Sequence, residues 1–176
     1  MSSEHVEEFH AVGRMLWEAG LVSSHGGNIS VRLPDGGLLI THTGAMLGRL
    51  GEGDLMTVAA DGSSAGEPSM DTAVHRAVYA ATGAGAVLHA HPRHAIALSL
   101  VTDAVEPVDA EGKLRLGSVS VVEAEQVAEA LRDRPIVLAR GHGSYACGDD
   151  FWQALLWTSV LEESAQVLWL QRSLRL

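Results

Sequence analysis

Residues 28–41 read NISVRLPDGGLLIT. Aliphatic and β-branched residues occupy both ends, and Pro34-Asp35-Gly36-Gly37 is a cluster of turn formers. The stretch is therefore a β-hairpin with strands at Asn28–Arg32 and Leu38–Thr41. On its N-terminal side, Val6, Phe9, Val12, Leu16 and Ala19 recur at near-helical spacing, and Gly20 is placed to stop that helix. The small residues Ser23-Ser24-His25-Gly26-Gly27 join helix to hairpin.

On the C-terminal side a short strand is expected over 54–58, closed by Asp61-Gly62. Pro68-Ser69 then looks like the N-cap of a helix over 70–81, with Met70, Ala73, Val74, Ala77 and Val78 as its buried stripe. Gly83 and Gly85 end that helix. Residues 86–91 form a buried strand stopped by Pro92, and a helix follows over 93–100. A helix over 123–132 precedes a strand at Ile136–Ala139. The last helix covers 151–172, with Asp150 as N-cap and Gln153 at the N3 position of a capping box. Helices and strands are mixed and include a hairpin, so the class is α/β or α+β, layered around one sheet.

The 176 residues fit a single domain spanning 1–176, and the 47% hydrophobic content suffices for a core. No apolar run approaches the ~20 residues a membrane helix needs. The acidic, polar MSSEHVEEFH start is unlike a secretory or transit segment, and the lone Cys147 suits a reducing compartment, so a cytoplasmic protein is expected. A net charge of −10 argues against nucleic acid and anionic lipid as partners. Lys113 is the only lysine and lies in a segment with no other sign of a site, which disfavours Schiff-base chemistry.

The chemistry is concentrated in histidines. In a strand, alternate side chains share a face, so His89 and His91 of Val87-Leu88-His89-Ala90-His91 project together. Their imidazoles suit zinc. Gly141-His142-Gly143 follows the next predicted strand, in a loop where a rigid sheet can hold a third ligand. Three protein ligands leave a coordination position for water or substrate. Asp71, at the start of the helix preceding the pair, is placed as a further ligand or a base. A His-x-His-x-Asp-His site is excluded by Arg93, and no glutamate follows the pair before Glu106, which excludes a cupin.

Gly26-Gly27-Asn28, Thr43-Gly44 and Ser69 combine glycine with small polar donors, a set able to cradle a phosphate without lysine. His25 and His42 flank these segments. His75, four residues after Asp71, is placed to hydrogen-bond it, and His94 is read as a packing or surface residue. Trp152, Trp157 and Trp169 are expected to pack the last helix against the sheet or another subunit, and Cys147 to be a small buried residue.

In order, Gly-Asn-Ile-Ser-Val-Arg (27–32), Ile-Thr-His-Thr-Gly (40–44), Pro-Ser-Met-Asp (68–71), His-Ala-His (89–91) and His-Gly-Ser-Tyr-Ala-Cys-Gly (142–148) resemble the class II aldolase/adducin family over about residues 8–170. The resemblance implies a three-layer α/β/α sandwich around a mainly antiparallel sheet, assembled as a cyclic homotetramer with sites between subunits. It implies one divalent cation per subunit, zinc or else manganese or cobalt, on His89, His91 and His142. It makes Asp71 the acid/base and assigns phosphate binding to Gly27, Asn28, Thr43, Gly44 and Ser69. The activity implied is aldol cleavage of a small sugar phosphate, such as L-fuculose 1-phosphate, to dihydroxyacetone phosphate and an aldehyde. The alternatives within the family are an epimerase, a dehydratase or a decarboxylase, and outside catalysis an adducin-like binding module. Three departures stand out. Met70 replaces a serine of the phosphate motif, Asp71 replaces a glutamate, and no tyrosine occurs between residues 102 and 122 to match the one that protonates the leaving aldehyde.

Overall fold

The computed structural model describes residues 3–51 and 53–174. It begins with helix α1 (Ser3–Glu18), whose Phe9, Val12 and Leu16 are buried while Ala19, beyond its end, is exposed. Gly20 adopts φ 68°. It donates to the Trp17 carbonyl at 3.0 Å, and Leu21 donates to that of Leu16 at 2.9 Å, so the helix ends in a Schellman turn.

The hairpin forms as expected from β1 (Asn28–Arg32) and β2 (Leu38–Thr41), and β3 (Leu55–Val58) adds to its outer edge. Helix α2 (Thr72–Ala81), β4 (Ala86–Ala90) and α3 (Arg93–Ser99) follow. Next come β5 (Ala104–Val105), α4 (Ala110–Arg115), β6 (Val119–Val122) and the short α5 (Val127–Ala130). The chain finishes with β7 (Ile136–Ala139), β8 (Gly143–Gly148) and the long α6 (Phe151–Ser173).

Eight strands make one sheet in the order β3-β2-β1-β4-β8-β7-β6-β5. Every pairing is antiparallel except β6 with β7. Alternate residues feed two cores. Ile29, Leu88, Ile136 and Ala146 join α1, α3 and α6 on one face. Ile40, Val87, Val137 and Tyr145 join α2 and α5 on the other. This is the expected three-layer sandwich around a mainly antiparallel sheet, and the period-2 alternation of the strands builds it.

Several expectations need correction. Helix α2 starts at Thr72, not at 70, and its buried residues are His75, Val78 and Tyr79. Met70 lies in the turn before the helix and is 87% exposed, and Ala73 and Ala77 also face outward. An alanine buries little area, so the larger Val78 and Tyr79 set which face turns inward. Ser69 is thus not the N-cap. Asp71 holds that position without a side-chain cap bond, and Ser69 Oγ accepts from the Asp71 N–H at 3.2 Å. Gly-Ser-Tyr-Ala-Cys-Gly lacks a strand-like apolar pattern, yet it forms β8. Neighbours on both sides, β4 and β7, override its weak propensity. The sequence pattern does not predict β5, α4 and β6. The helix expected over 123–132 splits into a 3-10 turn at Ala124–Gln126 and α5. Asp150 does cap α6, accepting from Gln153 N–H at 2.8 Å, but Gln153 Oε1 reaches back to Asp149 rather than Asp150. Trp157 packs against the core from its margin, whereas Trp152 and Trp169 are 44% and 50% exposed.

Candidate active site

The end of β4 organises the site. His89 is the penultimate residue of the strand, opposite Asn28 of β1 on one side and Tyr145 of β8 on the other. It is buried, and its Nδ1 donates to the Ser144 carbonyl at 3.0 Å, which turns Nε2 towards the open end. The Tyr145 ring stacks on the imidazole at 4.1 Å between centroids, 17° from parallel. His91 lies one residue beyond the strand, tethered by its backbone N–H to the Leu21 carbonyl at 2.7 Å. Its Nε2 lies 3.0 Å from that of His89. His142 occupies the turn between β7 and β8, and ligand atoms of the three histidines all lie within 4.8 Å of one another.

This donor set fits a divalent cation. Tetrahedral zinc at 2.0–2.1 Å from each nitrogen sets neighbouring ligands about 3.3 Å apart. The His89–His91 pair is already close to that spacing, and His142 completes three sides of a site open on the fourth. Burial pushes the His89 imidazole far below its ordinary pKa, with the Asp71 carboxylate opposing that shift, and burial also lowers His91. Neutral imidazoles are the form that ligates metal. Gly143 makes the approach possible: a Cβ there would sit 2.3 Å from the Ala90 carbonyl oxygen and 3.0 Å from His89 Cε1.

Asp71 reaches the same place from α2. Its Oδ2 is 3.7 Å from His89 Nε2 and accepts from Asn28 Nδ2 at 2.8 Å. Burial opposes ionisation, but the Asn28 amide and the adjoining imidazoles outweigh it, holding the carboxyl below its usual range. His75 does not bond the Asp71 side chain. Tyr79 OH donates to the Ser30 carbonyl at 2.8 Å, so it accepts from Ser30 Oγ, also at 2.8 Å, and Ser30 in turn accepts from His75 Nδ1 at 2.7 Å. This relay fixes the His75 tautomer, leaves its buried Nε2 without a partner, and accompanies a pKa pushed by burial down to about 4.

All the residues expected at the site line one cleft of about 230 Å³: the histidine triad, Asp71, and the Gly27, Asn28, Thr43, Gly44 and Ser69 segments. Gly27 and Gly44 adopt positive φ, 78° and 81°, and a Cβ at Gly27 would meet the His89 carbonyl at 2.8 Å. Thr43 Oγ1 is committed to the Pro68 carbonyl at 2.9 Å, whereas Ser69 Oγ accepts from Asp71 N–H and keeps its proton to donate. His25 and His42 also border the cleft. His42 clamps its loop through Asp54 at 2.8 Å. His94 stands apart, bonded to Glu162 of α6 at 2.8 Å. Sequence reading misses Ser144 and Tyr145 as supports of His89, and Asn28 as the partner of Asp71. These contacts depend on how β1, β4 and β8 pair, and the sequence places β1 and β4 but not β8 or the register between them.

A layered sheet thus brings three imidazoles and a carboxylate together at one strand end, a donor set that could hold a divalent cation. The chain belongs to the family described as the class II aldolase and adducin N-terminal domain, which its residues 7–169 match. It is similar in structure to l-fuculose-1-phosphate aldolase from Thermus thermophilus, with a TM-score of 0.91 and 39% identity over 96% of this chain and 94% of that one. It is 31% identical to 3-oxo-tetronate 4-phosphate decarboxylase of Escherichia coli (strain K12), over 93% of this chain and 85% of the relative. It is 30% identical to methylthioribulose-1-phosphate dehydratase of Gluconobacter oxydans (strain 621H), over 85% and 84%. No described helix is long and apolar enough to cross a membrane.

Proposed function

We propose that the chain is a divalent-metal-dependent lyase that cleaves a small phosphorylated hydroxy-ketone, such as L-fuculose 1-phosphate, into dihydroxyacetone phosphate and an aldehyde. One observation carries the reading: a carboxylate, Asp71, stands 3.7 Å from His89 Nε2 where three imidazoles converge. His89, His91 and His142 would hold the cation, zinc in preference to manganese or cobalt, because three nitrogen donors suit it. A cation held there supplies Lewis acidity to a substrate carbonyl oxygen. Asp71 moves the proton at the carbon beside that carbonyl, its position held by Asn28. Ser69 donates its free hydroxyl proton to a terminal phosphate, with Gly27 and Gly44 allowing the anion close to the backbone and Thr43 bordering it. The reading includes a single domain over 1–176, a homotetramer and a cytoplasmic location.

Decarboxylation of a phosphorylated 3-oxo acid is the second reading. It needs no acid to protonate a leaving aldehyde, and Tyr145, the tyrosine beside Asp71, is buried under the His89 ring instead of lining the cleft. The 31% identity to a decarboxylase supports this reading, as the 39% identity to an aldolase supports the first.

The test is metal analysis of purified protein beside a His89→Ala/His91→Ala variant, followed by product analysis on L-fuculose 1-phosphate and on 3-oxo-tetronate 4-phosphate. Stoichiometric metal that the variant loses, with metal-dependent aldehyde release, supports the lyase. Carbon dioxide from the second substrate alone transfers the assignment to decarboxylation. Folded protein that binds no divalent metal overturns both.

A further inference from the structure

The three histidines are held very differently. His89 is buried, stacked and pinned at Nδ1, and His91 is anchored through its backbone. His142 is exposed, and among the described residues its imidazole makes no hydrogen bond. Its ring touches that of His89 at 4.6 Å between centroids. The location of His142 therefore depends on the turn that carries it.

That turn is fastened to a different element, the C-terminal end of α3. Arg140, two residues before His142, donates from Nη1 to the Ser99 carbonyl at 2.8 Å and the Thr102 carbonyl at 3.2 Å. Its Nη2 reaches Asp103 at 2.8 Å and its Nε reaches Glu123 at 3.1 Å, so one guanidinium spans the end of α3, the loop before β5 and the N-cap of the 3-10 turn. Ser99 adds a second fastening. Fully buried, it donates to the Ile96 carbonyl at 2.7 Å and accepts from the Gly141 N–H at 2.9 Å. Gly141 adopts φ 68°, a conformation that favours glycine, and His142 N–H closes the turn on the Ala139 carbonyl at 3.0 Å. The Asp103 and Glu123 side chains are 94% and 65% exposed, so those ion pairs are weak. The bonds to the Ser99 and Thr102 carbonyls and to Ser99 Oγ do most of the fastening.

We propose that Arg140 and Ser99 are positioning residues that set metal affinity by holding the His142 turn against α3. The inference rests on the metal reading above. A freely hinged turn would spend part of the binding free energy on ordering its histidine. A latched turn presents the third imidazole at a fixed location. Partners that orient a ligand from outside are worth ~10–100-fold in metal affinity.

The experiment measures Zn²⁺ affinity by chelator competition on the parent chain, Arg140→Ala, His142→Ala and the double variant, with folding checked by circular dichroism. The expected result is a roughly tenfold loss for Arg140→Ala in the parent background and no further loss once His142 is gone. Ser99→Ala, which removes the acceptor of Gly141 N–H without touching a charge, should behave the same way and carries the test if Arg140→Ala does not fold. Equal losses with and without His142 would make Arg140 a general structural residue and overturn the proposal. So would unchanged affinity in both Arg140→Ala and Ser99→Ala. A parent chain that binds no zinc overturns the metal reading and this inference together, whereas parental affinity in Arg140→Ala and Ser99→Ala beside a loss in His142→Ala overturns the inference alone.

Discussion

A methyl group added at Gly143 strikes the site from inside the sheet. The new Cβ would lie 2.3 Å from the Ala90 carbonyl oxygen, 2.9 Å from His91 Cδ2 and 3.0 Å from His89 Cε1. The first neighbour is backbone of β4, paired to β8 through Ala90 and Ser144, so no side-chain rotation relieves it. Restoring ordinary contact takes roughly 1 Å of separation between the two strands at their site end. Overpacking of this kind costs about 1–3 kcal/mol. At about 2–4 °C per kcal/mol for a chain of this length, Gly143→Ala should lower Tm by about 2–12 °C. The same displacement pushes on both rings of the His89–His91 pair, so on the proposed metal reading Zn²⁺ affinity should fall with stability. Gly83→Ala is the control, since nothing lies within 4 Å of its added methyl and its φ is not positive. It should leave Tm unchanged or raise it slightly. Thermal denaturation with and without Zn²⁺ reads both effects. A Gly143→Ala protein with parental Tm and parental affinity would refute the claim that this glycine is required by the approach of β8 to the two histidines.

Asp71→Asn preserves side-chain size and an acceptor for Asn28 but removes the base. Turnover should fall about 10²–10⁴-fold with metal content retained, and loss of the metal instead would recast Asp71 as a ligand. Acid stability should report His75, whose pKa falls from 6.5 to about 4 on folding. The unfolded chain takes up a proton that the folded one refuses, so this contribution is complete above about pH 6.5 and declines by about 1.4 kcal/mol per pH unit towards pH 4. Denaturant titrations across that window should show a shallower decline for His75→Asn, and an identical slope would count against the assignment. Tyr79→Phe removes the buried hydroxyl that serves Ser30 twice, and calorimetry should find it less stable by about 1–3 kcal/mol.

The parts of the fold that are legible in the sequence are those where local chemistry and global packing agree. The Pro-Asp-Gly-Gly turn produces the hairpin, Gly20 ends α1, and the continuous apolar run at 86–90 becomes a central strand. Strand β8 is illegible because its residues are small and its strand character comes from β4 and β7 alone. In α2, apolar residues occur on more than one side, and the larger Val78 and Tyr79 decide the orientation. At the site, residue types and motif order locate every candidate in one cleft. The contacts that orient those residues are out of reach. Asn28 on Asp71, Ser144 on His89 and Ser99 on the His142 turn each join segments distant in sequence, and their meeting follows from register and topology.

The place of β8 between β4 and β7 has a consequence for how the molecule is made. Strands β1 to β4 can pair as they emerge from the ribosome, yet β4 keeps an edge of unpaired N–H and C=O groups until β8 arrives, long after β4 itself. Among the described residues, strands β5 to β7 form a second patch with no strand pairing to the first, so β8 is the strip that welds two half-sheets together. Such late, long-range pairing slows folding and leaves a sticky edge open to other chains in the interval. The same event carries His142 to His89, so the metal-ready triad comes into being only when the two halves join.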